Sequence, residues 1–164
     1  MPKIKLISTN RKKSILITLL IIVFGLATIF FPLLLMHFIP QSGIGNYLSE
    51  HLYYGYLFIS VLLYFFYTGI NFYKIKIDAY IIDVRSCRII LGIFKPLNYI
   101  DVSHSMLMEF SFFYRPFSFN KTLMLKIKTD TGRKIAKRFN LTFLSKKEEE
   151  RISEVLEQII AKNS

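Results

Sequence analysis

The sequence contains a single cysteine, Cys87, and no tryptophan. One cysteine excludes an internal disulfide and cannot form a cysteine-based metal site, so we interpret Cys87 as a small, half-buried residue in a turn. Negative charge is also scarce, because 11 Asp and Glu residues stand against 22 Lys and Arg residues, which gives a formal net charge of +11. This balance favours an anionic partner, either nucleic acid or an anionic lipid surface.

Motifs for catalysis and cofactor binding are missing as well. The chain has no glycine-rich phosphate loop, no HExxH, no CxxC and no nucleophile elbow. The polar residues that could do chemistry are Asp101, Ser103, His104, Ser105 and Cys87. Asp101 and His104 are three positions apart, which places them on opposite faces of a strand, so we interpret His104 as a solvent-facing strand residue. We therefore predict a protein that is not an enzyme and that has no catalytic, cofactor-binding or metal-binding residues.

Two other groups of residues resemble metal ligands only in composition. His37, Glu50 and His51 include a single carboxylate and follow no ligand spacing. The "EEER" sequence at residues 148–151 is interpreted as the first turn of a helix, where acidic side chains favour the positive end of the helix dipole.

Long apolar runs, by contrast, are present. Apolar residues make up 52% of the chain, and residues 14–36 and 52–73 contain no charged residue. Roughly 20 apolar residues in a helix cross the hydrocarbon layer of a membrane. The runs therefore predict a transmembrane α-helical hairpin over residues 14–73, with spans at about 14–36 and 52–73 and an outside loop at 37–51.

The distribution of cations predicts an orientation for this hairpin. Lys and Arg flank the two runs and are absent from the loop between them, which by the positive-inside rule places both termini in the cytoplasm. Residues 1–13 then form a basic cytoplasmic N-terminus, and abundant Ile, Lys, Phe and Tyr hint at a bacterial gene. We predict a multi-pass protein of the bacterial inner (cytoplasmic) membrane. The cations expected at the membrane surface are Lys3, Lys5, Arg11, Lys12, Lys13, Lys74 and Lys76.

The spans hold no Asp, Glu, Lys, Arg or His. Ionisable groups inside a membrane mark ion paths and proton relays, so their absence argues against a transporter or pump. The sequence is still compatible with a pore made by many copies, because a hydrophobic lining can also gate a channel.

Residues 74–164 have the patterning of a mainly β domain. "KIKIDAYI" (74–81) alternates, with Ile75, Ile77, Ala79 and Ile81 on one face, and "TLMLKIKT" (122–129) alternates with Leu123, Leu125 and Ile127 inward. "DVRSC" (83–87) is interpreted as a turn before a returning strand, "RIILGIF" (88–94), and residues 97–113 as one long or two short strands. "DTG" (130–132) predicts a hairpin turn that leads into the strand "RKIAKRF" (133–139).

The chain ends in a predicted amphipathic helix. Ser145 followed by Glu148 is a capping box, in which the serine hydroxyl accepts from the Glu148 N–H and the glutamate reaches back. One apolar stripe follows at helical spacing, and we expect it to cover the sheet. Its members are Ile152, Val155, Leu156, Ile159 and Ile160.

These segments together resemble the bacterial pleckstrin-homology-like (PH-like) domains. The resemblance rests on "KPLNYIDVSHS" (95–105), "KTDTGRKIAKRFN" (128–140) and "EEERISEVLEQII" (148–160). It implies an α+β, mainly β domain in which a bent antiparallel sheet or barrel is closed by the C-terminal helix. It does not imply phosphoinositide binding, because the first hairpin has no Lys-x(n)-Arg-x-Arg clamp.

One stretch, "MEFSFFYRPFSFNKT" (108–122), is unusually aromatic. Alternation places Phe110 and Phe112 on one strand face and Phe113 on the other, and we expect at least one of Phe113, Phe117 and Phe119 to be exposed to solvent or to a partner. The predicted interface residues are Phe113, Arg115, Phe117, Phe119 and Lys121.

The function we favour from sequence is a non-enzymatic inner-membrane protein. Its PH-like domain would mediate protein or lipid-surface interaction, or self-assembly, at the cytoplasmic face. The expected partners are the lipid bilayer and either a protein partner or copies of the chain itself, in a homo-oligomer. Membrane tethering disfavours nucleic acid. Two alternatives are a membrane-perturbing effector of bacterial defence signalling, gated by a small-molecule signal, and an immunity protein against a toxin or bacteriocin.

Overall fold

The computed structural model describes residues 5–38, 43–50, 53–88 and 98–163. The chain divides into two compact units. The first unit combines Met1–Ser14 with Ile70–Ser164, and the second consists of Ile15–Gly69. The N-terminal residues therefore belong with the C-terminal part of the chain, although residues 15–69 separate them.

The second unit is helical. Helix α1 (Arg11–Phe38) begins in the first unit and continues into the second, and it is followed by α2 (Gly43–Glu50) and α3 (Tyr53–Thr68). Helix α2 lies in the segment predicted to be an outside loop. Residues 39–42 and 51 of that loop, and residue 52 of the second predicted span, lie outside the described part of the chain.

The predicted transmembrane hairpin is contradicted. Within the described ranges, none of the helices combines the length and the apolar character needed to cross a membrane. For the second predicted span, the physical reason is that the apolar run is divided between two elements. Helix α3 ends at Thr68, and the residues from Asn71 onward form a strand. At 1.5 Å per residue, its 16 residues reach only about 24 Å. The predictions of a membrane protein and of a multi-pass inner-membrane location, with both termini cytoplasmic, were therefore wrong.

The first unit contains a four-stranded antiparallel sheet in the order β1-β2-β3-β4. Its strands are β1 (Leu6–Thr9), β2 (Asn71–Ile77), β3 (Ile81–Arg88) and β4 (Asn98–Ser103). Strand β1 lies within the segment that the sequence marked only as a basic N-terminus. It pairs with β2 so that Leu6 lies opposite Ile77 and Thr9 opposite Lys74.

The first hairpin turns earlier than the sequence predicted. The "DVRSC" residues lie inside β3, and the chain reverses at Asp78–Tyr80. The physical reason is that Ile82 and Val84 are buried on the same face of β3 as Ser86, which continues the strand period through the supposed turn. Ala79 and Ile81 are accordingly exposed rather than inward. Most of "RIILGIF", residues 89–94, lies outside the described residues.

A separate three-stranded antiparallel sheet has the order β5-β6-β7. Its strands are β5 (Leu107–Tyr114), β6 (Asn120–Lys128) and β7 (Lys134–Thr142). A short 3-10 turn at His104–Met106 separates β4 from β5. The predicted "DTG" hairpin is confirmed: the Thr129 N–H donates to the Arg133 carbonyl at 2.9 Å, and Gly132 has the positive φ of +78° that glycine tolerates.

Helix α4 (Lys146–Asn163) ends the described chain. The predicted capping box is confirmed, because the Glu148 N–H donates to Ser145 Oγ at 3.2 Å and the Ser145 N–H donates to Glu148 Oε2 at 3.0 Å. The predicted apolar stripe also packs inward. Ile152, Leu156 and Ile159 are buried in a core shared with both sheets, including Leu125 and Phe139. Val155 and Ile160 pack against this core.

Buried polar groups tie the two sheets together. The Asn10 side chain donates to the carbonyls of Asn71 (2.8 Å) and Thr142 (2.9 Å) and accepts from the Tyr73 N–H (2.8 Å). Asn71 in turn donates to Thr142 and Asn120. Asn10 and Asn71 lie at strands β1 and β2, and Thr142 and Asn120 at β7 and β6. The network therefore joins the first sheet to the second through buried hydrogen bonds, which favour one arrangement of the two sheets.

The predicted fold class was wrong in its architecture. The strands described form two separate antiparallel sheets in place of one bent sheet or closed barrel, and the helices of the described ranges do not form the predicted membrane hairpin. The physical reason for the separation lies at the 3-10 turn, where the chain leaves β4 and no ladder joins it to β5.

Candidate interaction site

The β5–β6 connection carries four exposed aromatic rings, which we call the aromatic tip. It consists of Phe113, Tyr114, Phe117 and Phe119, with exposed fractions of 47%, 63%, 93% and 51%. Two of them end β5 and two lie in the connecting loop. The prediction that at least one of Phe113, Phe117 and Phe119 is exposed is confirmed, since all three are.

The loop holds Phe117 in an uncommon backbone conformation. Its φ is +57°, in the left-handed region that residues other than glycine rarely adopt. The Ser118 N–H donates to the Arg115 carbonyl at 3.3 Å and closes the turn. A left-handed residue with a side chain costs roughly 1–2 kcal/mol, and such strain tends to occur where a residue has a task beyond stability.

The other side of the loop is fixed by a ring pair. Phe119 lies against Phe143, with ring centroids 5.5 Å apart. The Phe143 N–H also donates to the Phe119 carbonyl at 3.1 Å. Phe143, between β7 and α4, has a positive φ of +58°. The loop that carries the tip is thereby attached to the connection that leads into α4.

A carboxylate supports the base of the tip. Glu149 Oε2 accepts from Lys121 Nζ at 2.6 Å, and Glu149 Oε1 accepts from the Tyr114 hydroxyl. Lys121 also lies over the Tyr114 ring, 5.0 Å from its centroid. Burial raises the pKa of the Glu149 carboxyl, but the hydrogen bonds from Lys121 and Tyr114 outweigh it, so that its pKa lies below the usual value. The bond to Glu149 raises the pKa of Tyr114.

The predicted interface residues divide into two sets. Phe113, Arg115, Phe117 and Phe119 lie at the tip and are exposed. Lys121 instead points to Glu149, and only 20% of its side chain is exposed, so its structural place is at the base of the tip. Phe110 and Phe112 share one strand face, as predicted. They are partly buried against the core and contact each other edge to face, with ring centroids 6.1 Å apart.

The residues considered for chemistry are engaged in structural contacts. Asp101 accepts from the Tyr99 hydroxyl at 2.9 Å, and the hydroxyls of Ser103 and Ser105 are 2.8 Å apart. His104 is not the solvent-facing strand residue we predicted. It begins the 3-10 turn and is half-buried, and burial lowers its pKa. The physical reason lies in its main chain. The His104 N–H donates to the Tyr80 carbonyl and the His104 carbonyl accepts from the Asn163 side chain, and these bonds favour a turn over a strand.

Cys87 is half-buried as predicted, but it lies in strand β3 rather than in a turn. Burial raises the pKa of its thiol. In the ranges that the structure describes, no three His, Cys, Asp or Glu side chains come together to hold a metal ion.

The cations predicted for a membrane surface have different environments. Lys3 lies outside the described residues, whereas Lys5 and Arg11–Lys13 are exposed. Lys74 is exposed on β2, and Lys76 pairs with Asp78 at 2.5 Å.

Sequence reasoning missed two residues of this site, Tyr114 and Glu149. Tyr114 was not singled out, and Glu149 was interpreted only as one of the acids of the first helical turn. A signal was available for Glu149, because Ser145 and Glu148 already form the capping box and leave the next acid without a local partner. Which strand it would meet depends on tertiary structure.

The comparisons with known proteins add no further assignment. No protein-family model, no curated protein and no solved structure matches this chain.

Proposed function

We propose that the unit formed by the two sheets and α4 is a non-enzymatic protein-interaction module that binds a partner protein through its aromatic tip. The observation that carries this proposal is Phe117, which is 93% exposed and is held in a left-handed backbone conformation. A ring this exposed adds little to the core, and a left-handed backbone favours glycine over phenylalanine.

The composition of the tip supports protein binding. Buried interface cores are enriched in aromatic residues and arginine, and a few such residues carry most of the binding energy. Arg115 lies between the rings of Tyr114 and Phe117 in sequence and is exposed with them. Rings that stay exposed in the free chain gain apolar burial only when a partner covers them, at roughly 25 cal/mol per Å².

The base of the tip favours a preformed surface. The Tyr114–Glu149–Lys121 cluster and the Phe119–Phe143 pair attach the loop to α4 and to the end of β7. A surface held in its binding conformation loses less conformational entropy on association. The predicted resemblance to PH-like domains agrees with a binding role and stays a prediction.

Site-specific photo-crosslinking in the native host tests the proposal. p-Benzoylphenylalanine would replace Phe117 in one variant and Tyr80 in the matched control, because Tyr80 is also an exposed aromatic, at 80%, but lies in the β2–β3 turn. We expect a discrete adduct of defined mass from position 117 and none from position 80. Its mass tells whether the partner is another protein or a second copy.

The proposal is wrong if irradiation at position 117 gives no adduct, or the same adducts as position 80. A second measurement guards against misfolding: thermal melting of both variants should match that of the unmodified chain.

A further inference from the structure

The outer face of the β6–β7 hairpin carries cations that face one another. Lys128 and Lys134 are directly opposite in the antiparallel register, and Arg138 lies four residues along β7 from Lys134, on the same face. All three are exposed. We call Lys128, Lys134 and Arg138 the basic face. Like charges directly opposite on neighbouring strands destabilise a sheet.

Among the residues that the structure describes, no ion pair compensates this repulsion. Lys126, on the same side of β6, pairs with Glu109 at 2.7 Å, and Asp130 in the hairpin turn forms no ion pair among the described residues. For Lys128, Lys134 and Arg138, the described part of the chain provides no ion pair. The hairpin thus keeps a cost in stability that an external anion would remove.

Helix α4 shows the same arrangement with the opposite sign. Glu150, Glu154 and Glu157 follow one another at spacings of four and three residues, which places them on one helix face. They are exposed and line a shallow groove of about 290 Å³, which Tyr114 and one cation, Lys146, also line. We call these three glutamates the acidic face. Like charges at these spacings destabilise a helix, and no ion pair to any of the three exists among the described residues.

Glu149, which precedes the acidic face in sequence, differs from it because a cation of the same copy pairs with it. Glu149 is one residue from Glu150 but is neutralised by Lys121 within the same copy. Lys128 lies seven residues further along β6, about 23 Å away at the usual rise of a strand. No ion pair joins the basic face to the acidic face within a copy in the described structure.

We infer that the basic face of one copy docks on the acidic face of a second copy. Three cations would meet three carboxylates, and each face would relieve the like-charge repulsion of the other. The two faces differ, so the contact is head-to-tail. An open assembly therefore has an unoccupied basic face at one end and an unoccupied acidic face at the other. The assembly therefore grows as a chain or closes as a ring. Tyr114 is the tip residue that borders the acidic face, and the contact does not use Phe113, Phe117 or Phe119.

A second copy fits better than nucleic acid. The basic face contains no aromatic ring on which a base could stack, and stacking is a main source of affinity for single strands. The complementary surface, with an equal number of charges, is present on the chain itself.

Charge exchange between two variants of the full chain tests the inference. One variant carries Lys128→Glu with Lys134→Glu, and the other carries Glu150→Lys with Glu154→Lys. Sedimentation velocity at 50 and 500 mM NaCl measures association. We expect the unmodified chain to assemble at low salt and to dissociate at high salt, because salt screens exposed charges. Each variant alone should associate at least tenfold more weakly, and an equimolar mixture should recover assembly, since opposite faces then meet.

Four results would overturn the inference: a monomeric chain at low salt, a variant that assembles alone like the unmodified chain, a mixture that stays dissociated, or an assembly that nuclease removes. Circular dichroism checks that the variants fold. If charge reversal unfolds the chain, Lys128→Ser with Lys134→Ser replaces it and should show the same tenfold loss. Phe117→Ser with Phe119→Ser should leave assembly unchanged, which separates this contact from partner binding at the tip.

Discussion

Lys121 on β6 and Glu149 in the first turn of α4 form an ion pair, with 2.6 Å between Nζ and Oε2. Both side chains are mostly covered, with 20% and 12% exposed. Because the Tyr114 hydroxyl donates to the same carboxylate, one glutamate holds the start of the helix against both strands that carry the aromatic tip.

Glu149→Gln removes this charge with little change in volume. We expect it to lower the free energy of unfolding by about 1.5–3 kcal/mol, the range for hydrogen bonds to a charged group. Urea denaturation measures the loss. Glu109→Gln is the matched control, because the Glu109–Lys126 pair is exposed at 57% and 43%, and we expect a loss of only about 0.2–1 kcal/mol. Equal losses for the two variants would contradict a structural role for Glu149.

Acid should destabilise the chain through two glutamates. Burial raises the pKa of Glu148, but hydrogen bonds from the Ser145 hydroxyl and N–H outweigh it, so its pKa lies below the usual value of 4.5. The pKa of Glu149 is also lowered, by its bonds from Lys121 and Tyr114. The unfolded chain then binds more protons than the folded chain below about pH 4.5, and stability falls as the pH falls. Urea titrations from pH 6 to pH 3 should show this slope, and Glu149→Gln should reduce it. An identical slope in the variant would exclude Glu149 as a source.

Alkali should destabilise the chain through Tyr73. Burial raises the pKa of this phenol from 10.0 to about 12. The folded chain therefore keeps the proton over a range in which the unfolded chain has lost it, and stability falls as the pH rises from 10 to 12. The expected loss is up to about 1.4 kcal/mol per pH unit. Unfolding measured at pH 9 and pH 11 should show a smaller loss in Tyr73→Phe, and an unchanged loss would refute the prediction.

Phe117 should be dispensable for folding. Phe117→Gly relieves the positive φ, and glycine adds a cost in unfolded-state entropy, so we expect a free energy of unfolding within about 1 kcal/mol of the unmodified chain. Leu125→Ala, at a fully buried position of β6, should cost about 2–5 kcal/mol. Urea denaturation compares the two. A loss at position 117 close to that at position 125 would mean that the ring belongs to the core.

The C-terminal part of the fold could be predicted because its signals are local. The capping box at Ser145, the turn at Gly132 and the alternation of Leu123, Leu125 and Ile127 each involve residues close in sequence, and all three predictions are confirmed. The exposure of Phe113 followed from the alternation along β5, because consecutive residues of a strand point to opposite faces and Phe113 follows Phe112.

The four-stranded sheet could not be predicted in this way. Strand β1 has only four residues, and its partner Ile77 is far along the chain from Leu6, so no local pattern reveals the pair. The apolar run that continues to Tyr73 concealed the change from helix to strand at Asn71. The buried network around Asn10 was missed for a similar reason, because its members come from strands of both sheets.

Strand β1 also sets an order of events during synthesis. Leu6–Thr9 leaves the ribosome early, but its ladder partners, Lys74–Ile77, follow only after the whole of residues 15–69 has been made. At roughly 5–20 residues per second, the first strand waits several seconds for its neighbour. The strand has only four residues, and two of them, Ser8 and Thr9, are polar. Its unpaired edge therefore offers little surface for pairing with another chain during that interval. Strand β1 thus stays without its ladder partner until the helical residues 15–69 and strand β2 have been made.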